Sequence, residues 1–87
     1  MTVYKYYALI EKEKLDQSGD FIVDFPDLEN VFTDSESLLG AVQNAHDVLI
    51  GMLRVMEEDG DVIPPASPVN KIKVPEGASL VLVEVDT

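Results

Sequence analysis

The chain has 87 residues and a formal net charge of −11, from 17 acidic and six basic side chains. This length predicts one domain with one core, and oligomerisation or a bound partner often stabilises domains this small. The absence of cysteine excludes disulfides and thiolate metal sites. The acidity argues against direct binding to nucleic acid, because Lys and Arg supply most of the affinity for phosphate.

The amino terminus lacks the long apolar segment of a signal peptide, and no window approaches the roughly 18 apolar residues of a membrane span. We therefore expect a cytoplasmic protein that does not bind membranes. A large negative charge steers association with a basic partner, although it also serves solubility alone.

Three strand patterns open the chain. Residues 3–11 carry apolar side chains on both faces, which is typical of an interior strand. Residues 12–20 then break the pattern as a hairpin loop. Residues 21–25 alternate, with an apolar stripe on one face, and Pro26 ends this strand because it cannot donate to a ladder. Residues 31–33 predict a short third strand at an edge of the sheet.

A long amphipathic helix is predicted over residues 37–59, with Ser37 as the favoured N-cap and Asp34 and Ser35 as competitors. Its apolar stripe follows three-and-four spacing and is predicted to pack on the sheet. The stripe consists of Leu38, Ala41, Val42, Ala45, Val48, Leu49, Met52, Leu53 and Met56. Leu39 and Ile50 stand off its edge, so they either contact a second copy of the chain or widen the buried face.

The helix stops at Gly60, and three prolines make residues 63–68 a rigid connector. Residues 69–74 are predicted to be a short extended piece and residues 80–85 the last strand. A strand reached through a helix usually lies parallel to the earlier strand. We therefore place the last strand beside the first. The prediction is an α+β fold, β-β-β-α-β, with sheet order 3-2-1-4 and the helix on one face.

Catalytic and metal-binding residues are few. His46 is the single histidine, and no serine or cysteine is placed beside it by spacing. The element order is also the first part of a ribonuclease-H-like fold, whose magnesium site needs a carboxylate on the first strand. Residues 1–10 contain none, and Glu84 and Asp86 alone do not make a two-metal centre. The glycines are scattered, so no phosphate loop is indicated. We expect no enzyme, no cofactor, no metal and no small-molecule substrate.

Acidic residues gather near the strand ends and the helix start. They have two interpretations: solvated loops, or a carboxylate surface that occupies the Lys and Arg side chains of an RNA-binding protein. As partner-binding candidates we take the turn and its acidic neighbours. These residues are Asp24, Phe25, Pro26, Asp27, Leu28, Glu29 and Asp34. Phe25 and Pro26 have the alternative role of shaping the turn.

Several short motifs, in this order, resemble HicB-family antitoxins. They are YYALIEK at residues 6–12, GDFIVDFPDL at 19–28, VFT at 31–33, SLLGAVQNA at 37–45, EDG at 58–60 and IPPAS at 63–67. The resemblance implies a partial ribonuclease-H-like domain without catalysis. It also implies a partner, a small basic HicA-type toxin that cleaves mRNA and whose active surface the antitoxin covers.

Many family members carry a DNA-binding segment after the last strand, whereas this sequence stops at Thr87. We therefore expect a single HicB-like domain over residues 1–87 without that segment. The leading hypothesis is an oligomeric antitoxin, a dimer or tetramer, of a type II toxin-antitoxin system. The alternative is a stand-alone HicB-like binding or scaffold protein without a toxin.

Overall fold

The computed structural model describes residues 2–12, 19–28 and 31–87. Its elements are β1 (Val3–Lys12), β2 (Phe21–Asp24), β3 (Phe32–Ser35), α1 (Leu38–Asp59), a 3₁₀ turn (Val69–Lys71) and β4 (Ser79–Asp86). The predicted α+β fold and its β-β-β-α-β order are confirmed. Most of the predicted hairpin loop, together with Glu29, lies outside the described residues.

The four strands form one antiparallel sheet in the order β3-β2-β1-β4, as predicted. β4 runs antiparallel to β1, from the pair Val3 and Asp86 to the pair Ile10 and Ser79. The expected parallel direction is therefore wrong. The physical reason is the connector over residues 60–78, which leaves the helix beside the start of β1 and reaches β4 beside the end of β1. The connector thus runs the length of the sheet, so that β4 starts beside the end of β1 and runs back along it.

Two local signals fix the ends of α1. Ser37 is the N-cap, since its side chain accepts a hydrogen bond from the backbone nitrogen of Gly40 at 3.0 Å. Gly60 ends the helix with a left-handed φ of 73°, and the backbone nitrogen of Asp61 donates to the Met56 carbonyl at 2.9 Å. The favoured N-cap and the stop at Gly60 are confirmed.

The buried face of α1 is narrower than the predicted stripe. Its centre consists of Ala41, Ala45, Leu49 and Leu53, which are fully buried, whereas Leu38 is 51% exposed. Leu38 therefore lies outside the core. Two of the four fully buried helix residues are alanines, so the larger side chains of this helix face are Leu49 and Leu53.

The core is the layer between α1 and one face of the sheet. Its buried members are Tyr6, Ala8, Ile10, Val23, Phe25, Leu28, Val31, Ala41, Ala45, Leu49, Leu53, Val83 and Val85. Alternation along β1 and β4 puts every second side chain in this layer. We call the other side of the sheet the outer face, and no helix of the described residues covers it.

The segment after the proline-rich connector differs from its prediction. Residues 69–74 were expected to be extended, but Val69–Lys71 form a 3₁₀ turn in which the backbone nitrogen of Lys71 donates to the Pro68 carbonyl at 3.0 Å. Pro68 fixes φ near the value that such a turn needs at its start, and this local preference prevails over the apolar alternation.

Candidate partner-binding surface

Strand pairing brings two acidic and two apolar side chains together on the outer face. Val23 is fully buried under α1, so its neighbours Ile22 and Asp24 point the other way. On β3, Phe32 lies opposite Asp24, and Asp34 lies opposite Ile22. We call Ile22, Asp24, Phe32 and Asp34 the acidic-apolar patch.

The acidic-apolar patch is open to solvent. Phe32 is 65% exposed and Ile22 is 38% exposed. A depression of about 410 Å³ is lined by Ile22, Phe32, Thr33 and Asp34. An exposed aromatic side chain beside two carboxylates makes this patch a candidate binding surface.

The apolar character continues across the outer face. Leu9 of β1 lies beside Asp24 of β2 and beside Leu80 of β4, and Leu82 is 50% exposed on the same side. Lys5 and Glu84 form an ion pair there at 3.4 Å, with both side chains mostly exposed. An exposed ion pair of this kind contributes little stability. The outer face around it is mainly apolar.

The predicted turn is divided between core and surface. Phe25 and Leu28 are 1% and 4% exposed and belong to the core, whereas Pro26 is exposed. The backbone nitrogen of Leu28 donates to the Phe25 carbonyl at 3.0 Å, which closes the turn. The side chains of Phe25 and Leu28 therefore shape this region from within, and partner binding by the turn stays a prediction for its exposed members.

Asp27 joins the turn to the connector. Its carboxylate accepts hydrogen bonds from the backbone nitrogen of Ser67 at 2.8 Å and from the Ser67 hydroxyl at 2.6 Å. Sequence reasoning assigned Asp27 to a partner and missed this link. A carboxylate and a serine 40 positions apart carry no local signal that they meet.

A groove of about 390 Å³ opens between the turn, the end of α1 and the connector. Its lining residues are Asp27, Leu28, Val31, Met52, Met56, Val62 and Pro64. Val62 is 90% exposed at this groove, and the last turn of α1 holds no basic residue. The groove thus combines two adaptable methionine side chains with one carboxylate, that of Asp27.

Two tyrosines of β1 attach this strand to the last turn of α1 and to the connector. The Tyr6 hydroxyl donates to the Pro64 carbonyl, and the Tyr4 hydroxyl donates to a Glu57 carboxylate oxygen at 2.9 Å. Burial, followed by the negative charge of Asp27, raises the pKa of Tyr6 above its ordinary value. Tyr6 therefore stays protonated and keeps donating well into the alkaline range.

The residues considered for catalysis or metal binding do not form a cluster in the part of the chain that the structure describes. His46 is about half exposed on α1 and lies 3.7 Å from Asp47. Within residues 2–12, 19–28 and 31–87, no three His, Asp or Glu side chains are grouped so that they could hold a metal ion. No helix in those ranges has the length and apolar character needed to cross a bilayer.

The two residues proposed for self-association differ in exposure. Leu39 is 70% exposed near the start of α1. Ile50 is only partly exposed, because it packs against the core. Contact with a second copy through these residues stays a prediction, and the structure makes Leu39 the more available of the two.

The side chains that sequence reasoning missed are Ile22 and Phe32. Their alternation with Asp24 and Asp34 was visible as a pattern of period two. The missing step was the register between β2 and β3, since a shift of one residue would have moved Phe32 into the core.

Neither a protein-family model nor a curated protein matches the sequence. Solved structures do match. The N-terminal domain of Burkholderia pseudomallei antitoxin HicB is 26% identical, with a TM-score of 0.78 over 97% of this chain and 100% of that chain. The chain is therefore similar in fold, over nearly its whole length, to the N-terminal domain of a HicB antitoxin.

Two further structures support this fold. The Burkholderia pseudomallei antitoxin HicB in a longer form is 24% identical, with a TM-score of 0.78 over 95% of this chain and 64% of that chain. A chain of a HicA3 and HicB3 toxin-antitoxin complex is 23% identical, with a TM-score of 0.69 over 97% of this chain and all of that chain. The HicB resemblance found in the sequence motifs is thereby confirmed.

Proposed function

We propose that this HicB-like domain is the antitoxin of a type II toxin-antitoxin system and inhibits a basic HicA-type mRNA interferase by covering it. The observation that carries the proposal is the likeness to an antitoxin domain that spans 97% of this chain and all of the matching chain. The net charge of −11 supports a basic partner, since opposite charges steer the two proteins together.

The acidic-apolar patch is the surface that we assign to the toxin. Asp24 and Asp34 offer carboxylates to the Lys and Arg side chains that would otherwise hold RNA phosphate, and bidentate pairs with Arg are the strongest form of this contact. Phe32 and Ile22 supply the apolar centre that a stable interface needs. Inhibition by this route requires no catalysis, cofactor or metal from the antitoxin.

We infer that residues 1–87 act as one domain in the cytoplasm, where an mRNA interferase meets its substrate. This domain makes no direct contact with DNA or RNA, because its outer face carries more carboxylates than cations.

Co-expression tests the proposal. The gene would be expressed with the small basic HicA-type toxin encoded beside it, and we expect growth to recover and the two proteins to purify together. Persistent toxicity would refute the antitoxin function. A genome without such a neighbour would favour the alternative, a stand-alone binding or scaffold protein.

The patch itself is tested with matched variants. Phe32→Ser and the double variant Asp24→Asn/Asp34→Asn should each weaken toxin binding at least tenfold, which corresponds to about 1.4 kcal/mol. Leu39→Ser and Asp47→Asn/Glu58→Gln change the same chemistry on α1 and should weaken binding only slightly. Equal losses in both sets would show that general charge or hydrophobicity, not the patch, determines binding.

A further inference from the structure

β4 is an edge strand whose apolar half, residues 80–83, lacks the usual protection against pairing. It has eight residues, Ser79–Asp86, and β1 is its one neighbour in the sheet formed by the described residues. Natural edge strands are commonly short, interrupted by proline or marked by lysine. β4 contains neither residue, whereas the opposite edge, β3, is only four residues long.

The charges of β4 are gathered at one end. Apolar side chains occupy residues 80–83, and the carboxylates are Glu84 and Asp86. A second copy that paired in parallel would place like charges side by side. A second copy that paired antiparallel would place them at opposite ends of the new ladder, so β4 is suited to antiparallel pairing with itself.

We propose that two copies of this chain pair antiparallel along β4, about a two-fold axis at Leu82, to form one continuous eight-stranded sheet. Leu82 then faces Leu82 of the partner subunit on the outer face. Val81 faces Val83 of the partner subunit on the side covered by α1, so both helices lie on the same side of the joined sheet.

Electrostatics selects this register. Centred on Leu82, the pairing separates Glu84 from Glu84 of the partner subunit by four positions, roughly 13 Å along the strand. That is beyond the screening length of about 8 Å at physiological salt. A register centred on Val83 would bring the same carboxylates to roughly 7 Å. The Leu82 register also uses nearly the full length of the strand.

This surface differs from the one that the sequence indicated for self-association. Leu39 lies on α1, away from the β4 edge, and is the most exposed of the candidate side chains at 70%. It therefore provides a demanding control, because a random collision would couple Leu39 at least as readily as Leu82, which is 50% exposed.

Disulfide trapping tests the proposal, since the natural chain has no cysteine and each introduced thiol is unique. Directly opposed Cβ atoms in antiparallel strands lie close enough for a disulfide. Under mild oxidation, Leu82→Cys should yield many times more covalent dimer than Leu39→Cys. Leu80→Cys alone should not couple, whereas Leu80→Cys/Glu84→Cys should.

Light scattering after gel filtration provides the second readout. The wild-type chain should have twice the mass of one chain, and Leu82→Lys should reduce it to one chain while circular dichroism stays unchanged. Val69→Lys, at a comparably exposed site, should remain dimeric. A monomeric wild type, equal trapping at Leu39 and Leu82, or dissociation by Leu39→Lys instead of Leu82→Lys would each overturn the proposal.

Discussion

Asp27 and Ser67 are joined by two hydrogen bonds, one from the serine backbone nitrogen at 2.8 Å and one from its hydroxyl at 2.6 Å. The pair fixes the proline-rich connector against the turn between β2 and β3. Because the groove beside Met52 and Met56 has the turn and the connector as its walls, this pair also sets the shape of that groove.

Loss of the Asp27 carboxylate should destabilise the fold. We expect Asp27→Ala to lower the free energy of unfolding by about 2 kcal/mol and Ser67→Ala by about 1 kcal/mol, since a charged acceptor strengthens both bonds. Urea denaturation measures both values. Asp24→Ala is the control at an exposed carboxylate of the outer face and should change stability by less than about 0.5 kcal/mol. Equal effects at Asp24 and Asp27 would contradict the structural role.

The Tyr6 hydroxyl should contribute stability that depends on pH. Tyr6→Phe removes the hydrogen bond to the Pro64 carbonyl and should cost about 1 kcal/mol at neutral pH. The pKa of Tyr6 is raised in the folded state, so the unfolded chain loses this proton first as the pH increases. The contribution is therefore complete below pH 10.0, the ordinary pKa, and disappears as the pH rises through the raised value.

The measurement is the free energy of unfolding of wild type and Tyr6→Phe between neutral pH and about pH 11. The difference between the two proteins should shrink above the ordinary tyrosine pKa. If the difference in free energy of unfolding between wild type and Tyr6→Phe stays constant over this range, the pKa of Tyr6 is not raised in the folded state.

Two glycines of α1 should respond oppositely to the same substitution. A Cβ at Gly51 meets no atom within 4 Å, so Gly51→Ala should stabilise the helix by about 1 kcal/mol. A Cβ at Gly40 would overlap Ser35 Oγ and lie 2.9 Å from Ser37 Oγ, the N-cap hydroxyl. We expect Gly40→Ala to destabilise the protein by about 1 kcal/mol, because loss of the cap outweighs the gain in propensity.

Thermal unfolding of the two variants checks this contrast. Ser37→Ala removes the cap directly and should resemble Gly40→Ala. Stabilisation by Gly40→Ala would mean that the Ser37 hydroxyl does not limit the start of α1.

The sequence predicted the bounds of the helix well because they follow from strong local patterns, whereas the sheet order followed from a general rule on connections between strands. Ser37 and Gly60 mark the helix ends by their own chemistry, and alternation in β1 and β2 identifies the face that α1 covers. The direction of β4 was missed because the path of the connector depends on contacts between distant residues. The bond between Tyr6 and Pro64 is one such contact.

The candidate site was only partly predictable for the same reason. Asp24 and Asp34 were identified by charge, but Phe32 became their neighbour only through the register of β2 with β3. Phe25 and Leu28 were grouped with the surface because they stand in an acidic turn. Burial of a side chain inside a turn depends on what packs beneath it, here the core under α1.

Under the proposed function, binding of the toxin should depend on salt through Asp24 and Asp34. Charge steering raises the association rate, and screening by salt reduces it. We therefore expect Asp24→Asn/Asp34→Asn to lower the association rate by roughly tenfold at low salt and much less at high salt. Surface plasmon resonance across a salt series measures both rates. Asp47→Asn/Glu58→Gln, which removes the same charge from α1, should reduce the rate only slightly. An equal reduction by both variants would show that net charge, rather than Asp24 and Asp34, steers association. The position of the toxin would then be tested by Phe32→Ser.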